Sequence, residues 1–153
     1  APKVKLRPLN FTAIAHAYQT TLGISRDQSF AMAKLTRGYA FAFQVLGYFT
    51  FREESHDYSR ILDKYRLYLD EYVYEKLWSE LSPLDKKVII NMAETDQESV
   101  TLIREQLGMS SNEFSKYRLR LIRKGIIDGS ERGIITFTLP LFKEFILDQI
   151  EFM

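Results

Sequence analysis

The sequence predicts a mostly α fold: a helical bundle over residues 1–81, then residues 82–153 as a second helical domain carrying a small two-stranded β hairpin. Three observations carry this. Apolar residues recur every three or four positions through most of the chain. Helix starts and stops are written between those stretches, as in Ser25-Arg26-Asp27-Gln28, Ser82-Pro83-Leu84-Asp85 and Ser110-Ser111-Asn112-Glu113. Near the end, two short β-prone runs, Ile126-Ile127 and Ile134–Thr138, flank the turn Asp128–Gly133.

The first half reads as follows. Residues 1–9 form an extended lead in which Val4 and Leu6 alternate with Lys3, Lys5 and Arg7 until Pro8. A chain that opens this way, without methionine, reads as a piece of a longer protein. Asn10 caps a helix with Phe11, Ile14, Ala15, Tyr18 and Leu22 on one face, stopping at Gly23. Ser25 and Gln28 form a capping box for a second helix that ends at Thr36-Arg37-Gly38. The third helix, Tyr39 to about Phe51, is apolar nearly all round and is expected to be the most buried of this half. After the polar loop Arg52–His56, one long helix is expected from Tyr58 to Leu81. Tyr58, Ile61, Tyr65, Tyr68 and Tyr72 form one row and Leu69, Val73 and Leu77 another, with Trp78 packed between the halves. No Pro- or Gly-rich linker follows, so a fixed orientation of the halves is expected.

In the second half, Ser82-Pro83 opens a helix through Val88, Ile89 and Met92, with an acid in its first turn. A short helix with Val100, Leu102, Ile103 and Leu107 stops at Gly108. The next runs from the Ser110 cap, with Glu113 completing a capping box, to Gly125. It has Phe114, Tyr117, Leu121 and Ile122 as its buried stripe. The hairpin follows, and Phe142, Phe145, Ile146 and Ile150 mark a closing helix.

Three short helices and a two-stranded wing resemble the winged helix-turn-helix family, and Lys124-Gly125-Ile126 falls where that family joins the helix to the wing. Over its whole length the chain resembles the C-terminal region of a bacterial or archaeal AAA+/STAND-type ATPase, a helical lid followed by a winged helix. The residues that carry this, in order, are Leu6-Arg7-Pro8-Leu9, which looks like the exit from a last core strand; the lid-like segment Leu35–Gly47; the long helix with Trp78; Leu81-Ser82-Pro83-Leu84-Asp85; the run from Phe114-Ser115-Lys116-Tyr117-Arg118 to Lys124-Gly125-Ile126-Ile127; and the ending from Phe137-Thr138-Leu139-Pro140-Leu141-Phe142 to Glu144-Phe145. The resemblance implies ATP and magnesium for the parent protein and no cofactor in this piece. Two departures stand out: Ala40 replaces the lid motif's proline, and Phe41 takes the place of a nucleotide-sensing arginine, with Arg37 the nearest cation. No phosphate loop of the G-x-x-x-x-G-K-[ST] type occurs, so ATPase activity would belong to a missing N-terminal portion.

Composition narrows the classes. There are no cysteines, which excludes disulfides and thiolate metal sites, and His16 and His56 lie far apart without a second ligand at metal spacing. Glu53-Glu54 and Asp70-Glu71 are adjacent pairs that point apart on a helix, and no nucleophile, base and orienting group fall at readable spacing. The chain reads as non-catalytic. The most apolar run, Tyr39–Phe51, falls short of the ~20 residues a bilayer requires, so a cytoplasmic location without membrane contact is expected.

Net charge is +1, yet Lys116, Arg118, Arg120, Arg123 and Lys124 fall within nine residues that hold no acid. Local clustering is what phosphate contact depends on, because salt screens charges beyond ~10 Å. Double-stranded DNA is therefore the expected partner. Lys116, Arg120, Arg123, Lys124 and, on the wing, Arg132 would contact phosphates, while Ser111, Asn112 and Ser115 face base edges. Against this stand apolar Leu119 on the outward face, Arg118 toward the buried side, and Glu131 beside Arg132. A solvated helix face is the bland reading of the same run. The alternative function is protein interaction, with the winged helix docking on its own ATPase core or forming a homodimer. A free-standing transcription factor with the first half as sensor is a third reading, for which the Tyr39–Phe51 helix leaves little room for a ligand pocket.

Overall fold

The computed structural model describes residues Pro8–Met153; the Val4/Leu6 lead and the Leu6-Arg7 part of the proposed strand exit lie outside them. The described chain is mostly helical, with a small two-stranded antiparallel sheet near its C-terminal end. Two compact units are present, one ending at Leu69 and one spanning Asp70–Met153.

In the first unit, α1 (Phe11–Leu22), α2 (Arg26–Thr36), α3 (Ala40–Arg52) and α4 (Leu62–Leu69) enclose one core, with a 3₁₀ turn at Tyr58–Arg60. The capping signals act as the sequence suggests. The Asn10 side-chain Oδ1 accepts from Ala13 N–H at 3.0 Å, and Ser25 and Gln28 exchange the two bonds of a capping box. Thr36 closes α2 by donating to the Ala33 carbonyl and accepting from Gly38 N–H. Two buried phenols tie the helices together: Tyr18 donates to the Phe43 carbonyl at 2.6 Å and Tyr65 to the Leu35 carbonyl at 2.9 Å. Burial pushes both phenol pKa values upward. Tyr18 reaches the backbone of α3 because Gly47 has no side chain; a Cβ there would stand 3.0 Å from the Tyr18 ring.

α3 is not the most buried helix of this unit. It buries Ala42, Val45, Leu46 and Thr50, the same number of positions as α1 or α2, while Tyr48 and Phe51 are 57% and 58% exposed. Only its smaller residues fit among the neighbouring helices. The aromatic side chains spread to the flanks, where Phe41 and Phe49 pack on Tyr68.

Gly38 joins α2 to α3 at φ 77°, a left-handed conformation. Its missing Cβ would lie 3.0 Å from the Leu9 carbonyl oxygen and 3.1 Å from the Pro8 Cβ. Gly38→Ala is expected to cost about 2 kcal/mol, through strain and this backbone contact. A lowered urea midpoint by far-UV circular dichroism checks this; an unchanged midpoint would refute it.

The long helix expected over 58–81 is interrupted. The 3₁₀ turn precedes α4, a π-helical stretch occupies Asp70–Tyr74, and α5 (Glu75–Ser79) completes the segment. A π turn inserts an extra residue, so the three-and-four spacing no longer predicts which residue faces inward. Tyr72, in the expected buried row, is 65% exposed, and Tyr74 is fully buried instead. The stretch Asp70–Leu81, which the sequence placed with the first domain, belongs to the second unit. There Tyr74 packs against Phe142 and Phe145, with ring centroids at 5.0 and 5.7 Å. Trp78, expected between the halves, packs on Phe145 with the Lys86 ammonium over its ring, all within the second unit.

The second unit continues with α6 (Pro83–Thr95), α7 (Val100–Leu107), α8 (Ser111–Arg123), the strands β1 (Ile127–Asp128) and β2 (Thr136–Phe137), and α9 (Phe142–Glu151). Ile127 pairs with Phe137 and Asp128 with Thr136. The strands are shorter than the sequence suggests because Asp128 accepts from Ser130 N–H and hydroxyl, turning the chain, and Ile134 pairs elsewhere. It bridges to Ser99, and Val100 N–H to Gly133 and Ile135 N–H to Glu98 (both 2.9 Å) bind the loop to the start of α7. Val88, Ile89, Ile103, Phe114, Leu121, Ile126, Ile135 and Phe142 are among the side chains of this core.

Candidate nucleic-acid interface

α7 and α8 meet across Gly108, Met109 and Ser110. Gly108 and Met109 N–H groups return to the Glu105 and Arg104 carbonyls, closing α7 as a Schellman turn. Ser110 accepts from Glu113 N–H at 3.1 Å and starts α8 at once. The return bond from Glu113 to Ser110 N–H, expected of a capping box, is not formed. At the other end Gly125 is left-handed, and Gly125 and Ile126 N–H groups bind the Ile122 and Leu121 carbonyls in a second Schellman turn. The chain therefore leaves α8 directly into β1.

Phe114 and Leu121 anchor α8 in the core. Opposite them, at intervals of four, three and four residues, run Asn112, Lys116, Leu119 and Arg123, all exposed. Ser111 and Ser115 flank the front of this line, both exposed, with the Ser115 hydroxyl donating to the Ser111 carbonyl at 2.8 Å. Lys124 is exposed at the C-cap. Arg132 lies apart from these, exposed on the hairpin loop. Among the described residues, Lys116, Arg123, Lys124 and Arg132 have no carboxylate partner.

Two arginines of the basic run are engaged within the unit. Arg120, assigned to phosphate contact by the sequence, directs Nε and Nη2 to one oxygen of Asp85, each at 3.0 Å, and lies over the Tyr117 ring. The Asp85 side chain is 2% exposed and that of Arg120 46%. Asp85 also closes the capping box with Ser82 at the start of α6, so a single carboxylate serves both the helix end and the arginine. Arg118 donates through Nη2 to the Gly129 carbonyl at 3.1 Å and holds the hairpin loop against α8. Gly129 permits this, since a Cβ there would stand 2.8 Å from both that nitrogen and the Ile122 Cδ1. Sequence spacing missed both links. Asp85 and Arg120 are 35 positions apart, and no periodicity relates them.

Arg37 is an exposed, left-handed cap of α2, and Phe41 packs on Tyr39 and Tyr68. Where little room for a ligand was expected, an apolar groove of about 260 Å³ lies between α1 and α3, bordered by Ala17, Phe43, Tyr48 and Phe51. Among the described residues no group of three His, Asp or Glu side chains is placed to hold a metal ion, and no helix is long and apolar enough to cross a membrane.

A family profile described as a domain of unknown function (DUF8462) matches residues 71–146, within the second unit. No curated protein and no solved structure matches the chain.

Proposed function

We propose that Asp70–Met153 is a winged helix-turn-helix that binds double-stranded DNA through α8, and that the whole chain is the non-catalytic C-terminal arm of an AAA+/STAND-type ATPase acting in the cytoplasm. The observation that carries the DNA reading is the outward line of α8. Asn112, Lys116 and Arg123 share it, short polar groups stand at its front beside exposed Glu113, and Lys124 closes it; among the described residues none of these cations is paired with a carboxylate. A helix so armed suits a major groove: cations meet the phosphate rails, and Ser111, Asn112 and Ser115 meet base edges. ATP and magnesium would be held by the parent's ATPase core, a further partner of this piece.

The exposed cations set the expected salt dependence. With Arg118 and Arg120 occupied, Lys116, Arg123, Lys124 and Arg132 would neutralise four phosphates, giving a slope of log K against log salt of about −3 to −4. Fluorescence anisotropy of a labelled duplex at stepped salt concentrations reads it. The Lys116→Glu/Arg123→Glu variant is expected to abolish binding; Arg120 is avoided because its substitution disturbs Asp85. A salt-insensitive signal, or one unchanged in the variant, overturns the reading.

Exposed Leu119 favours a second reading, docking of the same face on a protein, either the ATPase core or another copy. It predicts no salt-dependent duplex binding and a shift on size exclusion.

A further inference from the structure

Leu119 is 47% exposed at the centre of the outward line of α8. Its neighbours on the helix surface, three and four residues away, are exposed Ser115, Lys116 and Arg123 and half-buried Ile122, whose Cδ1 faces Gly129 of the hairpin loop. Leu119 is thus the exposed large apolar side chain of α8, and the side chains beside it at full exposure are polar or cationic. What the face offers is one branched apolar tip between two cations. The major groove is complementary to that pattern. Its walls are anionic phosphates, and the apolar feature on its floor is the C5 methyl of thymine, which distinguishes T·A from every other unmodified pair.

We infer that Leu119 reads thymine, packing its side chain on a C5 methyl while Lys116 and Arg123 hold the flanking phosphates. The inference rests on the DNA reading proposed above and gives it sequence preference. The burial involved is one methyl group, so each contacted thymine is worth about fourfold in affinity.

The test uses the whole chain. A preferred site is selected from a random duplex library and synthesised twice, once with thymine and once with deoxyuridine, which lacks only the C5 methyl. The wild type is expected to bind the thymine duplex about fourfold more tightly. Leu119→Ala, an exposed helical substitution that leaves the core untouched, is expected to bind both duplexes alike with an unchanged salt slope. Equal wild-type affinity for the two duplexes, a preference that survives in Leu119→Ala, or a library that yields no preferred site overturns the inference while leaving salt-dependent DNA binding standing. Absence of salt-dependent binding removes the DNA reading and the inference together. A Leu119→Ala variant that alters only the sedimentation of the chain assigns the residue to docking instead.

Discussion

Tyr74→Ala is expected to remove about 3–5 kcal/mol from the stability of the second unit. The side chain is fully buried, its ring meets Phe142 and Phe145 edge-on, and its hydroxyl donates to the carbonyl of buried Pro140. That carbonyl precedes α9, whose N-cap, Leu141, is left-handed and supplies no side-chain bond. Truncation therefore opens a cavity and withdraws the donor at the start of the closing helix. Tyr74→Phe keeps the ring and loses only the donor, at a cost of about 1–2 kcal/mol. Trp78, the one tryptophan, packs on Phe145 and reports the transition by fluorescence. At this chain length the alanine variant is expected to melt about 10 °C lower. Equal losses in the two variants would show that the ring contributes little.

Asp85→Ala is expected to cost about 2–3 kcal/mol, measured the same way. The substitution removes an acid from the first turn of α6, the acceptor for Ser82 N–H, and the partner of Arg120 at once. The loss stays below that of a fully enclosed ion pair because water still reaches the arginine. Arg120→Ala leaves the buried carboxylate with its capping role and costs less. Arg120→Glu, which brings a second carboxylate up to the first, costs more than Arg120→Ala. In a double-mutant cycle, Asp85→Ala and Arg120→Ala should couple by about 1 kcal/mol or more. Strict additivity would mean that the contact is incidental and that Arg120 is available to phosphate.

The helical order of the chain was legible because local chemistry writes it. Asn10, Ser25, Ser82 and Ser110 cap the helices they precede, and Gly23, Gly108 and Gly125 follow helix ends in the left-handed conformation. The outward line of α8 was legible for the same reason, since three-and-four spacing separates Phe114 and Leu121 from Lys116 and Arg123. Three things were not. The π stretch has no sequence mark in its row of tyrosines, and it exchanges Tyr72 for Tyr74 in the core. The exposure of Tyr48 and Phe51 is hidden by the all-round apolarity of α3, of which only Ala42, Val45, Leu46 and Thr50 are buried. The fates of Arg118 and Arg120 are set by Gly129, across the turn into the hairpin, and by Asp85, 35 positions away. Counting cations along a helix overstates how many of them are available.

The bridge from Ile134 to Ser99 has a consequence for solubility. Gly133-Ile134-Ile135-Thr136-Phe137-Thr138 is uncharged, lacks proline and is rich in β-branched residues, the composition of a segment that stacks readily into cross-β fibrils. In the fold, β2 is paired with β1, and the chain just before it is bonded to the residues that lead into α7. Native pairing thus occupies one edge of β2 and ties down the residues just before it, which shortens the edge this segment offers another molecule. Substitutions that loosen the link at Ser99 would therefore show themselves first as precipitation on storage, before any loss of helix content.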